Sequence, residues 1–178
     1  MKTWIALLRG INVVGKNKVP MKDLAAAFEG AGFRSVRTYI QSGNVVFRSR
    51  TGSARTLGTR ITRLVEERFG FETQVMVLSG ADLAAAVRGN PFPAAHENHK
   101  LLHIFFLAAR PMKPDLESLE RSRAGREEFV LKGGFFYLYT PDGFPESAVR
   151  SRMERCLGVL ATGRNWRTAN ELLRMLNE

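Results

Sequence analysis

Cysteine and long apolar runs are scarce in this chain of 178 residues. The single cysteine, Cys156, excludes an internal disulfide and favours a cytoplasmic location. No run approaches the roughly 18 apolar residues that a membrane-spanning helix needs, so no membrane partner is expected. Arg9 interrupts the short apolar run at the N-terminus. We therefore interpret that run as a buried strand and not as a signal peptide.

Acidic residues are scarce in the first half. Residues 1–90 contain 14 Lys or Arg against 6 Asp or Glu, a net charge of +8, whereas residues 91–178 contain 13 against 11. This asymmetry favours an anionic partner for the first half, either a small molecule or a nucleic acid. However, 20 of the 27 basic residues are arginine, a bias that genomic base composition alone can produce.

The first half alternates between strand and helix patterns. Strands are predicted over 3–13, 35–40, 44–47 and 73–78. One helix is predicted to begin at Pro20 and another to end at Gly70. The order is β-α-β-β-α-β, which is the ferredoxin-like arrangement. We assign it to an N-terminal subdomain, residues 1–89.

The second half follows a related order after a short helix that ends near Gly89. The segment NPFP (90–93) interrupts regular structure and is the predicted domain boundary. Predicted strands and helices then alternate, but a helix is predicted where the last strand would come. The expected fold class is therefore α+β, with two ferredoxin-like subdomains. The second of these, residues 90–178, is an incomplete repeat with a C-terminal helix.

Four motifs carry a family resemblance. They are LLRGINVVGKNKVPM (7–21), YIQSGNVVF (39–47), NPF (90–92) and RNWRT (164–168). In this order they resemble the bacterial family called domain of unknown function 1697, DUF1697, along essentially the whole chain. The resemblance implies two ferredoxin-like subdomains and no established activity. The chain departs from the family at Val14, where glycine is usual, and at Gly163, where threonine is common.

Polar side chains converge at one edge of the predicted N-terminal sheet. Strand 2 of a ferredoxin-like sheet runs parallel to strand 1, so the end of strand 1 and the strand 2–3 hairpin emerge together. The cations and amides gathered there suit a phosphate or a carboxylate. They are Arg9, Asn12, Lys16, Lys18, Gln41, Ser42 and Asn44. In the alternative interpretation the asparagines only close turns and the lysines are solvated.

This edge gives the leading functional hypothesis, a binding module for an anionic ligand. The alternative is an enzyme acting on a phosphorylated or carboxylated small molecule at the same edge, with Tyr39 or a histidine as acid or base. The sequence contains no G-x-S-x-G motif and no other legible catalytic constellation, and we expect no cofactor. A homo-oligomer formed through the FFYLY hairpin (135–139) is a third possibility.

Two further patterns resemble ligand sites. GINVVGKN (10–17) approximates a phosphate-binding P-loop, but Asn17 stands where Ser or Thr would bind magnesium, and Pro20 delays the helix. His96, His99 and His103 are the only histidines. We interpret the first two as solvated and the third as a core residue, so no metal is expected.

The segment ATGRNWRTAN (161–170) precedes the last helix. Thr168 and Glu171 have the spacing of a capping box, and Trp166 is predicted to anchor the helix. Arg164 and Asn165 are then the side chains expected to be free to bind a ligand.

Nucleic-acid binding through the sheet face is disfavoured. RNA-recognition folds stack bases on aromatic residues of their two central strands. Here strand 1 offers only Trp4 and strand 3 only Phe47. Any nucleic-acid binding by the basic first half is therefore expected to depend on the phosphate backbone and on salt.

Overall fold

The computed structural model describes residues 1–50, 52–145 and 147–177. The chain divides into two compact units, Met1–Ala84 with Leu172–Glu178, and Ala85–Glu171. Each unit contains one four-stranded antiparallel sheet. None of the helices in the described part of the chain has the length and apolar character needed to cross a membrane.

The first unit has the predicted β-α-β-β-α-β order. Its elements are β1 (Lys2–Leu8), α1 (Met21–Gly30), β2 (Arg34–Tyr39), β3 (Asn44–Ser49), α2 (Ala54–Phe69) and β4 (Val75–Ser79). The strands are arranged β2-β3-β1-β4, which confirms the ferredoxin-like topology. Helix α3 (Gly80–Arg88) follows, and Ser79 and Asp82 cap its start: the backbone N–H of Asp82 donates to Ser79 Oγ over 3.1 Å, and that of Ser79 donates to Asp82 Oδ2 over 3.0 Å.

Helix α2 shows how the sequence determines the packing of this unit. The Ser53 hydroxyl caps it by accepting from the N–H of Thr56, and Gly70 ends it at a φ of +77°. Leu57, Ile61 and Val65 recur every four residues and are all buried against the sheet. Beside them is an aromatic cluster of Phe28, Phe33 and Phe47, with ring centroids 4.8–5.5 Å apart.

Strand β1 is shorter than predicted. It ends at Leu8, since Gly10 takes a φ of +68° and turns the chain out of the sheet. Residues 9–20 form a loop. Helix α1 begins only at Met21, which confirms the late helix start that separates GINVVGKN from a P-loop.

The second unit contains a complete repeat. Its elements are β5 (Leu102–Leu107), α4 (Leu116–Ser122), β6 (Glu128–Lys132), β7 (Phe135–Tyr139), α5 (Ala148–Leu157) and β8 (Ala161–Asn165). Helix α6 (Trp166–Leu176) comes directly after β8. The strand order is β6-β7-β5-β8, the same connectivity as in the first unit.

The prediction that the second repeat lacks its last strand was wrong. The sequence of β8, ATGRN, has no apolar alternation, so its own propensity does not predict a strand. Pairing with β5 determines its structure, with Leu107 opposite Ala161 and His103 opposite Asn165. A Cβ atom at Gly163 would lie 2.6 Å from the ring of Phe105, so glycine makes room for that buried side chain.

Two glycines allow the packing at the start of β3 to be tested. Gly43 and Gly70 have φ values of +76° and +77°, but an added Cβ at Gly43 would lie 2.8 Å from Leu8 Cβ, and one at Gly70 would meet nothing within 4 Å. Gly70→Ala should cost about 1–2 kcal/mol of unfolding free energy, the penalty of the left-handed conformation alone. Gly43→Ala should cost a further 1–3 kcal/mol, approximately, from overpacking. Urea unfolding of both variants measures the difference, and equal costs would contradict the packing.

Candidate functional site

The end of β1 and the β2–β3 hairpin lie at the same edge of the first sheet. Leu7 is paired with Asn44, and the backbone N–H of Leu8 donates to the carbonyl of Gly43 over 2.8 Å. The predicted convergence of these segments is confirmed. We call residues 9–18 and 40–44 the loop edge.

Asn12 connects the two segments of the loop edge. Its Nδ2 donates to the carbonyls of Val19 (2.9 Å) and Gln41 (2.8 Å), and its Oδ1 accepts from the N–H of Val19 (2.8 Å). One side chain therefore connects the two ends of the loop and also joins the loop to the hairpin. With both amide N–H groups donated to carbonyls, Asn12 orders the backbone, as the turn-closing interpretation describes.

Asn44 orders the hairpin in the same way. Its side chain is fully buried, and its Nδ2 donates to the carbonyl of Tyr39 (3.0 Å) and to Ser42 Oγ (2.9 Å). These bonds fix the turn between β2 and β3 from inside. Asn44 therefore shapes the loop edge from beneath its surface.

The three cations of the loop edge differ in how exposed their side chains are. Arg9 is partly buried, its carbonyl accepts from Thr73 Oγ1 (2.6 Å), and its Nη1 lies 3.3 Å from Gln74 Oε1. Lys16 and Lys18 are exposed, as are Gln41 and Ser42. The loop edge itself contains no Asp or Glu.

Two β-branched residues of the loop edge are strained. Val14 and Ile40 have φ values of +44° and +46°, in the left-handed region that such residues rarely adopt. Conformations of this kind cost about 1–3 kcal/mol each. Val14 is 95% exposed and Ile40 49% exposed, so burial does not offset that cost. The sequence did not predict strain at either residue, although an isoleucine beside Gln-Ser-Gly in a tight hairpin is an available signal.

The segment ATGRNWRTAN (161–170) forms strand β8 and the start of helix α6. Arg164 lies on β8 with 9% of its surface exposed, its Nη1 donates to the carbonyl of Gly163, and burial lowers its pKa to about 10. Asn165 Oδ1 accepts from the N–H of Thr168 over 2.9 Å and so caps α6. Both side chains form hydrogen bonds, contrary to the expectation that they are free to bind a ligand.

The predicted capping box of Thr168 and Glu171 was also wrong. Helix α6 begins at Trp166, two residues before Thr168, because Asn165 supplies the cap and asparagine is the stronger capping residue. Trp166 is 5% exposed, which confirms its predicted burial.

The histidines lie in different surroundings. His96 is in a turn of 3-10 helix and meets the ring of Trp166 edge-on, whereas His103 is on β5 and stacks on Phe144 with ring centroids 3.5 Å apart. Residues 1–50, 52–145 and 147–177 contain no group of three metal-binding side chains. His103 Nδ1 is buried without a hydrogen-bond partner. Burial, followed by the nearby charge of Arg150, lowers the pKa of His103 to about 4.

The chain belongs to the family described as protein of unknown function (DUF1697), whose model matches residues 1–137. This confirms the family resemblance; three of the four motifs lie within the matched residues, and RNWRT (164–168) lies beyond them. Among solved structures, the chain is similar to conserved bacterial protein SP0830 from Streptococcus pneumoniae. The two are 24% identical, 98% of each chain is covered, and the TM-score is 0.72. That likeness supports the fold alone. No curated protein matches the chain.

The low pKa of His103 predicts a pH dependence of stability. The pKa is about 4 in the folded chain, against 6.5 for an unperturbed histidine, so the unfolded state binds the proton first. Stability is therefore lost as the pH falls from about 6.5 to 4, by about 3 kcal/mol from this group. Urea unfolding between pH 6.5 and 4 measures this loss of unfolding free energy. The contribution of about 3 kcal/mol should be absent in His103→Phe and present in His99→Gln. Parallel pH profiles for wild type and His103→Phe would contradict the assignment.

Proposed function

We propose that the loop edge is a binding surface for a small anion that carries a phosphate or carboxylate group. The observation that carries this proposal is the strain at Val14 and Ile40, which are exposed and gain little from packing. Strained backbone of this kind is found most often at ligand-binding and catalytic sites. Val14 lies between Arg9 and Lys16 in the sequence, and Ile40 precedes Gln41, whose carbonyl accepts from Asn12.

The electrostatics favour an anion. Arg9, Lys16 and Lys18 lie within ten residues of one another, and the first acidic residue of the chain is Asp23. Lys16 and Lys18 are exposed on a loop without Asp or Glu, and the positive charge of that loop attracts anions. The exposed Gln41 and Ser42 add neutral hydrogen-bonding groups that suit phosphate and carboxylate oxygens.

The loop edge is ordered before any ligand arrives. Asn12 joins the loop to the hairpin, and the N–H of Lys16 donates to the carbonyl of Val13 over 2.9 Å to close the tip of the loop. A surface that is already ordered pays less conformational entropy on binding. The order therefore supports recognition of a small ligand.

Binding is favoured over catalysis by the residue types present. The loop edge contains no histidine, cysteine or carboxylate. Tyr39, the acid or base of the enzyme hypothesis, lies next to it and contributes its backbone carbonyl to Asn44. An enzyme at this edge would depend on Lys16, Lys18, that tyrosine or the ligand itself for proton transfer. We therefore place the binding module first.

The test compares two double variants that remove the same charge from opposite ends of the sheet. Lys16→Gln/Lys18→Gln changes the loop edge, and Lys2→Gln/Arg50→Gln changes exposed residues at the other end of β1 and β3. Nucleotides, sugar phosphates and dicarboxylates are screened by thermal shift. A ligand at 100 times its Kd protects the wild type by about 2.7 kcal/mol. If each lysine contributes tenfold, protection of the loop-edge variant falls to about 0.4 kcal/mol at the same concentration.

The control variant should keep the wild-type protection. Both variants should melt like the wild type without ligand, because the four side chains are exposed. Equal protection of the loop-edge variant and the control would contradict the proposal, as would a panel in which no anion protects the wild type.

A further inference from the structure

A second basic surface lies along helix α2, away from the loop edge in sequence. Three arginines line a groove of about 570 Å3 beside this helix. The arginines are Arg55, Arg60 and Arg63. We call this the arginine groove. It shares no residue with the loop edge, so the two surfaces can be tested separately.

Arg60 is fixed in position. Its guanidinium lies 4.6 Å from the ring centroid of the buried Phe33 and donates a hydrogen bond to the carbonyl of Ala31. Stacking on an aromatic face leaves the edge of the guanidinium available to an anion. The side chain is therefore ordered before a ligand binds, which lowers the entropy cost of binding.

Arg55 and Arg63 continue the charge to either side of Arg60. Both are exposed, and neither forms an ion pair with a carboxylate in the described part of the chain. Residues 30–65 contain no Asp or Glu at all, and Glu67 is the single acidic residue of the lining. The positive charge of the groove is therefore largely uncompensated.

The length of the groove distinguishes between possible anions. Arg55 and Arg63 are eight residues apart on one helix, which separates them by about 12 Å along its axis. One strand of B-form DNA presents a phosphate about every 3.4 Å along its axis. A single phosphate is too small to reach all three arginines, whereas about four or five consecutive phosphates at this spacing cover that distance.

We propose that the arginine groove binds the sugar–phosphate backbone of a nucleic acid. Sequence readout is not expected, because the aromatic residues of the central strands, Trp4 and Phe47, are both buried in the helix-covered core. Base stacking on the sheet is therefore excluded at these positions. Affinity comes from cations and phosphates and depends on salt.

The experiment titrates a labelled duplex of mixed sequence at several salt concentrations. Three phosphate contacts predict a slope of about −2.7 for log K against log salt concentration. Arg55→Gln/Arg63→Gln removes two contacts, so its slope should flatten to about −0.9. Lys16→Gln/Lys18→Gln removes the same charge from the loop edge and should leave the slope of the wild type. Thermal melting without DNA verifies that each variant is folded.

Three results would overturn the proposal. The first is no binding by the wild type at low salt. The second is an Arg55→Gln/Arg63→Gln slope equal to that of the wild type. The third is a slope that flattens in the lysine variant instead, which would assign the duplex to the loop edge. Failure here leaves the small-anion proposal untouched, because that proposal is measured with other ligands and by thermal protection.

Discussion

The hydrogen bonds of Asn12 are the interaction on which the loop edge depends. One carboxamide joins residue 19, where the chain enters α1, to residue 41, in the hairpin between β2 and β3. Val19 is buried, so this connection also ties the loop to the hydrophobic core. The left-handed residues of the loop, Asn12, Val14 and Asn17, persist because its two ends are fixed. Without that connection the lysines of the loop and the exposed Gln41 and Ser42 of the hairpin would belong to two independent loops.

The order of elements and the position of the loop edge could be predicted from the sequence, because both follow from apolar periodicity and from ferredoxin-like topology. Strand β8 could not, because its pairing with β5 decides its structure and ATGRN carries no alternation. The strain at Val14 could not be predicted either, because amino-acid composition does not determine the φ angle of a single residue. The resemblance offered one indirect signal, namely glycine as the usual residue at that position. A glycine would adopt the φ of +44° without strain.

The positive charge of the chain serves different physical roles in different places. Arg164 is buried on β8, and this burial lowers its pKa to about 10. Arg60 is held over an aromatic ring, and Lys16 and Lys18 are solvated on a loop. A guanidinium fixed on a regular helix suits an extended row of phosphates, whereas flexible ammonium groups around an ordered loop suit a small anion. Net charge alone does not separate these roles.

Hydrogen exchange of an Asn12→Gly variant tests most directly whether one side chain makes the loop edge a single ordered surface. Glycine tolerates the φ of +54° at this position, so the substitution removes the side-chain bonds without backbone strain. Glycine also loosens the backbone near residue 12, so residues 40–43 are the segment that reports on the side-chain bonds. We predict faster exchange of the amides of both 10–19 and 40–43, with β5 unchanged. Unchanged exchange in 40–43 would show that the hairpin is ordered without Asn12 and would contradict the account.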